Sequence, residues 1–184
     1  MRPGIIPCRF QIERKTRVRF FCPVVCLWSA AVCAFAQDPA TPPQLTPPPA
    51  SKLVFHARGR GEQIYSCTNV QGRYEWKLKA PRADLYDTNG AYLGKHFAGP
   101  TWELSDGSSI VGEAVARAAA PSADDIPWLL LKVTKSSGKG LLANAKAVQR
   151  LSTEGGVAPE QPCTVGQELR IPYRAIYQFY GNKA

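Results

Sequence analysis

From position 52 onward, apolar and polar residues interchange in short runs broken by glycine, the pattern of strands joined by tight turns. Residues 64–67 and 74–78 flank the stretch from Asn69 to Gly72, residues 83–87 and 91–96 flank Asn89-Gly90, and residues 101–104 and 109–111 flank Asp106-Gly107. Each is a predicted hairpin. Asn-Gly is the favoured pair of a type I′ turn because both residues tolerate positive φ, so that geometry is expected at Asn89-Gly90. Residues 128–133 (WLLLKV) read as an apolar strand after Pro127, followed by a flexible SSGKG at 136–140. Near the C-terminus, Tyr173, Ala175, Tyr177 and Phe179 fall on one face and Arg174 and Gln178 on the other, the period of a half-buried strand. Many short strands with glycine turns predict a single all-β domain, an antiparallel sandwich or barrel with short connections. One segment is ambiguous. In 141–151, Leu141, Ala145, Val148 and Leu151 recur at helical spacing, while a strand returning from the glycine turn fits equally well.

The first 36 residues follow a different logic. Arg14, Lys15, Arg17 and Arg19 precede an apolar run at 20–35 that ends in Ala34-Phe35-Ala36. A basic region, a short hydrophobic segment and an A-x-A site make an export signal, with cleavage expected after Ala36. The run is interrupted by Pro23 and falls short of the about 20 residues of a spanning helix, so no stable membrane span is expected after cleavage. Acylation of Cys33 as a lipoprotein would place the bulky Val32 at the cleavage site. The expected location is therefore secreted, extracellular or periplasmic. Residues 37–50, with prolines at 39, 42, 43, 47, 48 and 49, favour polyproline II and read as a Pro-rich linker. Residues 51–184 form the domain, long enough to bury a sizeable core.

Removing the leader changes the charge. The whole chain carries a formal +9, but six cations and one acid lie in the leader, which leaves +4. The remaining cations are mixed with acids, as in Lys77, Lys79, Arg82, Asp84 and Asp87, so a solvated surface is expected and nucleic acid is not an expected partner. Four of the six cysteines also lie in the leader, leaving Cys67 and Cys163. Two thiols in an oxidising compartment most often pair, and no C-x-x-C spacing suggests redox chemistry instead.

The run GKHFAGPTWELSDGS at 94–108, IPWLLL at 126–131, QRLSTEGG at 149–156 with Cys163 downstream, and IPYRAIY at 171–177 resemble a secreted family known as domain of unknown function 3455. The resemblance extends over nearly the whole domain from Gln63 and implies an exported single domain with no catalytic assignment to carry over. It also favours the strand reading of 141–151.

Candidate chemistry concentrates in the same block. Gly94 and Gly99 flank His96, the readiest acid, base or ligand near neutral pH, and Trp102 offers a face for a sugar or another ring. Glu103 and Asp106 are the nearby carboxylates. The candidate ligand-binding set is thus His96, Trp102, Glu103 and Asp106. Against it, His96 can simply donate to a carbonyl at a tight turn, Trp102 can fill the core, and an Asp before Gly usually caps its turn. Other chemistry is missing. The exported part has two histidines, His56 and His96, and no H-E-x-x-H spacing, so neither a zinc site nor any cofactor is expected. Val111 breaks a nucleophile elbow at 107–111, and the run at 138–140 lacks the rest of a P-loop. Two functions stay open: a non-catalytic surface or binding protein for a small molecule or glycan, and a small secreted hydrolase using His96 with nearby carboxylates.

Overall fold

The computed structural model describes residues 40–182. The leader and its expected cleavage site at Ala36 lie outside them. Eight strands follow in chain order: β1 (Lys52–Val70), β2 (Arg73–Tyr86), β3 (Tyr92–Phe97), β4 (Thr101–Leu104), β5 (Ser109–Ala118), β6 (Trp128–Ser137), β7 (Ala145–Gly155) and β8 (Glu168–Gly181). Each pairs antiparallel with the next, and β1 pairs with β8, so the all-β domain is a closed up-and-down barrel rather than a sandwich. Closure satisfies the backbone donors and acceptors that an open sheet would leave along its edges.

The three predicted hairpins are present as β1–β2, β2–β3 and β4–β5. The type I′ geometry falls elsewhere than expected. Gln71 and Gly72 both have positive φ (51° and 85°) and join the paired residues Val70 and Arg73. At the β2–β3 turn only Gly90 is left-handed, with φ 87°. There the Asp87 carboxylate accepts the amides of Asn89 and Ala91, each at 2.8 Å, and Gly90 N–H donates to the Asp87 carbonyl at 3.2 Å. The aspartate stabilises a longer loop in which Asn89 stays out of the left-handed region, and this overrides the Asn-Gly preference.

The ambiguous segment divides into a turn at 141–144 and strand β7. Its helix-like spacing comes from irregular pairing with β8, where the register shifts between Ala145 and Ala147 and again between Leu151 and Glu154. Ala145 and Val148 pack in the barrel core, whereas Ala147 and Leu151 pack in a separate cluster on the outside. A bulge changes which face a residue presents without changing the element, so apolar residues three apart need not signal a helix.

Inside, the predicted face of β8 delivers Tyr173, Ala175, Tyr177 and Phe179, all buried, against Trp102, Leu85, Ile110, Leu131 and Val148. Small residues make room for these rings. A Cβ on Gly59 would lie 2.6 Å from Tyr177 Cε2, so a larger residue there would displace the tyrosine. Outside, a short 3-10 turn at Pro43–Leu45 docks on the barrel. Leu45 is fully buried beside Ala118, Trp128, Leu130, Ala147 and Leu151, and its carbonyl accepts from Gln149 Nε2 at 2.6 Å. Part of the proline-rich stretch thus completes the outer packing, because the outward faces of β6 and β7 are too apolar to stand in water.

Cys67 and Cys163 form a disulfide with Cα atoms 5.8 Å apart, as expected from their number and context. It fastens the β7–β8 connection to β1. Nearby, Tyr65 Oη donates to the Gly156 carbonyl at 2.6 Å, and Thr153 Oγ1 donates to the Ile126 carbonyl at 2.6 Å.

Candidate functional site

The β3–β4 hairpin is much shorter than its neighbours, and this leaves a gap in the barrel wall. β2 pairs with β3 only through residues 83–86, and β5 pairs with β4 only through residues 109–111. Past the turn at 98–100, Leu78, Lys79, Ala80 and Pro81 of β2 therefore face Ala114 and Arg117 of β5 with no strand between them. Pro81 suits this border because it has no N–H to leave unpaired on the open side. Behind the gap lies a cavity of about 300 Å³.

Its floor is aromatic. His96 and Trp102 are cross-strand partners on β3 and β4, and their rings stack with centroids 4.4 Å apart. Tyr177 meets the His96 ring at 5.0 Å and the edge of Trp102 at 5.6 Å, while Phe179 closes on Trp102 from a further side at 6.1 Å. Trp102 is 1% and His96 2% exposed, so the imidazole already covers an indole face. His96 Nδ1 lies 2.8 Å from the Thr101 carbonyl; the carbonyl can only accept, so Nδ1 carries the proton. Burial pulls the His96 pKa down to about 3, against the opposing effect of the Thr101 hydrogen bond, and the ring is neutral at physiological pH.

The walls are rich in donors. Arg150 of β7 is the cross-strand partner of Tyr177 and lines the cavity. Its Nε and Nη2 donate to the Pro127 carbonyl at 3.2 and 2.8 Å, which leaves the remaining guanidinium donors uncommitted to that bond. Burial lowers the Arg150 pKa, against the opposing effect of the nearby Tyr177 and Tyr173 and with a smaller contribution from Arg117, although an arginine stays charged in this range. Among the described residues neither Arg117 nor Arg150 has a carboxylate partner, whereas Lys79, also at the border, pairs with Glu168 at 2.7 Å. Gln63 and Trp102 both line the cavity, and Gln63 Nε2 and Trp102 Nε1 are buried without a hydrogen-bond partner among the described residues. Among the described residues no Asp or Glu lines it.

The four residues singled out from the sequence do not gather in one place. His96 and Trp102 are together in the cavity floor. Glu103 is exposed and pairs across the hairpin with Lys95, because strand alternation turns it to the face opposite Trp102. Asp106 sits in the β4–β5 turn, where its carboxylate accepts from Ser108 N, Ser108 Oγ and Leu141 N at 2.9, 2.6 and 2.8 Å. Burial pushes its pKa up, but these hydrogen bonds outweigh it and hold the carboxyl below the usual range. It caps a turn and does not reach His96. Arg150, Arg117 and Gln63 were not legible as site residues, although a lone arginine in the apolar run AVQRL at 147–151 was a usable signal. Among the described residues no group of three His, Cys, Asp or Glu side chains gathers as metal ligands, and no helix is long and apolar enough to cross a membrane.

No curated protein and no solved structure matches the chain. The family described as protein of unknown function (DUF3455) matches residues 47–181, which include all eight strands of the barrel, and the chain belongs to that family.

Proposed function

We propose that this protein is a non-catalytic binding barrel that takes a small molecule through the gap between β2 and β5. The observation that carries the reading is the cavity of about 300 Å³ whose largely apolar lining carries a few polar groups, at the lower end of the size of small-ligand sites. Its substantial apolar lining favours a compact ring-bearing or aliphatic ligand over a long glycan. The hydrolase reading finds little support. A histidine with a pKa of about 3 is a weak general base at neutral pH, and Glu103 and Asp106, its expected acidic partners, lie outside the cavity.

The compartment belongs to the same proposal. The disulfide and the leader fit export, and Arg58, Arg60 and Arg174 are exposed on the outer face of the β1–β8 seam, unlike the apolar outer band of a barrel in lipid. Intact mass of the protein recovered outside the cytoplasm should give a chain beginning at Gln37. A species retaining residues 20–35 overturns the cleavage.

Binding is tested with phenylnaphthylamine, an uncharged apolar fluorophore, on the folded protein. Saturable fluorescence enhancement is expected, and Ala114→Phe, which puts a ring into the cavity from its border, should abolish it without lowering the thermal midpoint. No saturable binding, or binding unaffected by Ala114→Phe, overturns the reading.

A further inference from the structure

Resting on the binding-barrel reading, the geometry points to a specific ligand class: a small organic oxyanion whose apolar body fills the cavity and whose acidic group is received by Arg150 and Arg117. Three cations, Lys79, Arg117 and Arg150, line the cavity, and among the described residues no carboxylate does. Arg150 is partly withdrawn from water, where an unpaired charge is unfavourable unless a negative charge joins it, while Arg117 is exposed at the border and adds to the same positive field. The usual solution is a neighbouring Asp or Glu, and β2 supplies the contrast: its Lys79, at the border of the same gap, has Glu168 at 2.7 Å. Among the described residues Arg117 and Arg150 have none.

Two further polar groups agree in sign, against the single acceptor that His96 Nε2 presents. Gln63 Nε2 and Trp102 Nε1 are N–H donors, both buried and without partners among the described residues, on residues that line the cavity. The Arg150 guanidinium keeps donors beyond those held by Pro127. The polar groups thus lean toward donation, which suits a carboxylate, sulfonate or phosphate better than an amine or a neutral polyol. Arginine also presents a planar fork that matches such groups bidentately. Leu129, Leu131, Ala114 and the ring of Tyr177 supply the surface for the apolar body.

The alternative role for Arg150 is structural, fastening the β5–β6 connection through Pro127. The two roles separate experimentally. Anilinonaphthalene sulfonate and phenylnaphthylamine share an aromatic body and differ in the acidic group. The sulfonate should bind the native protein at least about tenfold more tightly than the amine, the worth of a charge-assisted hydrogen bond. Arg150→Gln should remove that advantage while leaving phenylnaphthylamine binding within about twofold. Arg117→Gln, on a side chain with no hydrogen bond to lose among the described residues, should reduce it by several-fold and keeps the test valid if Arg150→Gln fails to fold. Competition by naphthoate against naphthyl phosphate then tells a carboxylate from a phosphate ligand. If both fluorophores bind with equal affinity, or if the sulfonate's advantage survives Arg117→Gln and Arg150→Gln, the oxyanion assignment is wrong while the binding barrel stands. If neither fluorophore binds, the barrel reading itself has failed.

Discussion

The imidazole of His96 lies flat on the indole of Trp102, with planes 15° from parallel and centroids 4.4 Å apart. The stack is buried, and burial has a pH signature. Native His96 stays neutral down to about pH 3, whereas in the unfolded chain it takes up a proton below about 6.5. The unfolded state therefore binds more protons between those values, and stability falls as pH drops through that window, by up to about 1.4 kcal/mol per pH unit. His96→Phe keeps a ring against Trp102 and removes the titration. Its denaturation midpoint should change less than that of the native protein between about pH 7.5 and about pH 5.5. At the higher pH the variant should be less stable by about 1–3 kcal/mol, because the Thr101 carbonyl loses its donor. Equal pH slopes would show that His96 is not the group responsible.

The Cys67–Cys163 bond closes most of the domain into one loop, for which the chain-entropy model gives about 4–5 kcal/mol of stabilisation. Native, unreduced protein should therefore show no labelling at either cysteine. Cys67→Ala combined with Cys163→Ala should lower the unfolding free energy by an amount of that order, a large share of the about 5–15 kcal/mol typical of a domain. Labelling of both thiols in the native protein refutes the bond.

Leu45 is fully buried on the outer wall although it belongs to a proline-rich stretch. Leu45→Ala should cost about 2–5 kcal/mol, as core truncations do. A loss below about 0.5 kcal/mol in urea unfolding would show that the turn at Pro43–Leu45 does not hold to the barrel in solution.

Gly59 lies under the Tyr177 ring. Gly59→Val should destabilise the barrel by about 1–3 kcal/mol through overpacking. Since Tyr177 also borders the cavity, the same substitution should weaken phenylnaphthylamine binding. Unchanged affinity with lowered stability would place the displaced ring away from the ligand.

The hairpins, the alternation in β8 and the disulfide were readable because each depends on local chemistry: glycine at a turn, period two along a strand, two cysteines left after the expected leader. Barrel against sandwich was not, since closure depends on β1 meeting β8 and no local pattern records that. Bulges hid β7 by shifting Ala147 and Leu151 to the outer face. His96 and Trp102 were legible as neighbours because they sit on one short hairpin, but adjacency in sequence misplaced Glu103, which alternation turns outward, and Asp106, which is held by its own turn. Arg150, Arg117 and Gln63 reach the cavity from three different strands, so only the folded barrel brings them together.

The seam between β1 and β8 also sets the order in which the molecule can be finished. Its partners run from Lys52 with Gly181 to Ser66 with Glu168, residues roughly 100–130 positions apart, the kind of distant pairing that slows folding. During synthesis β1 can form a hairpin with β2, but its other edge has no partner until the last strand is made. Barrel closure is therefore a terminal event, and a chain cut short before β8 is left with an open strand edge offered to other copies of itself.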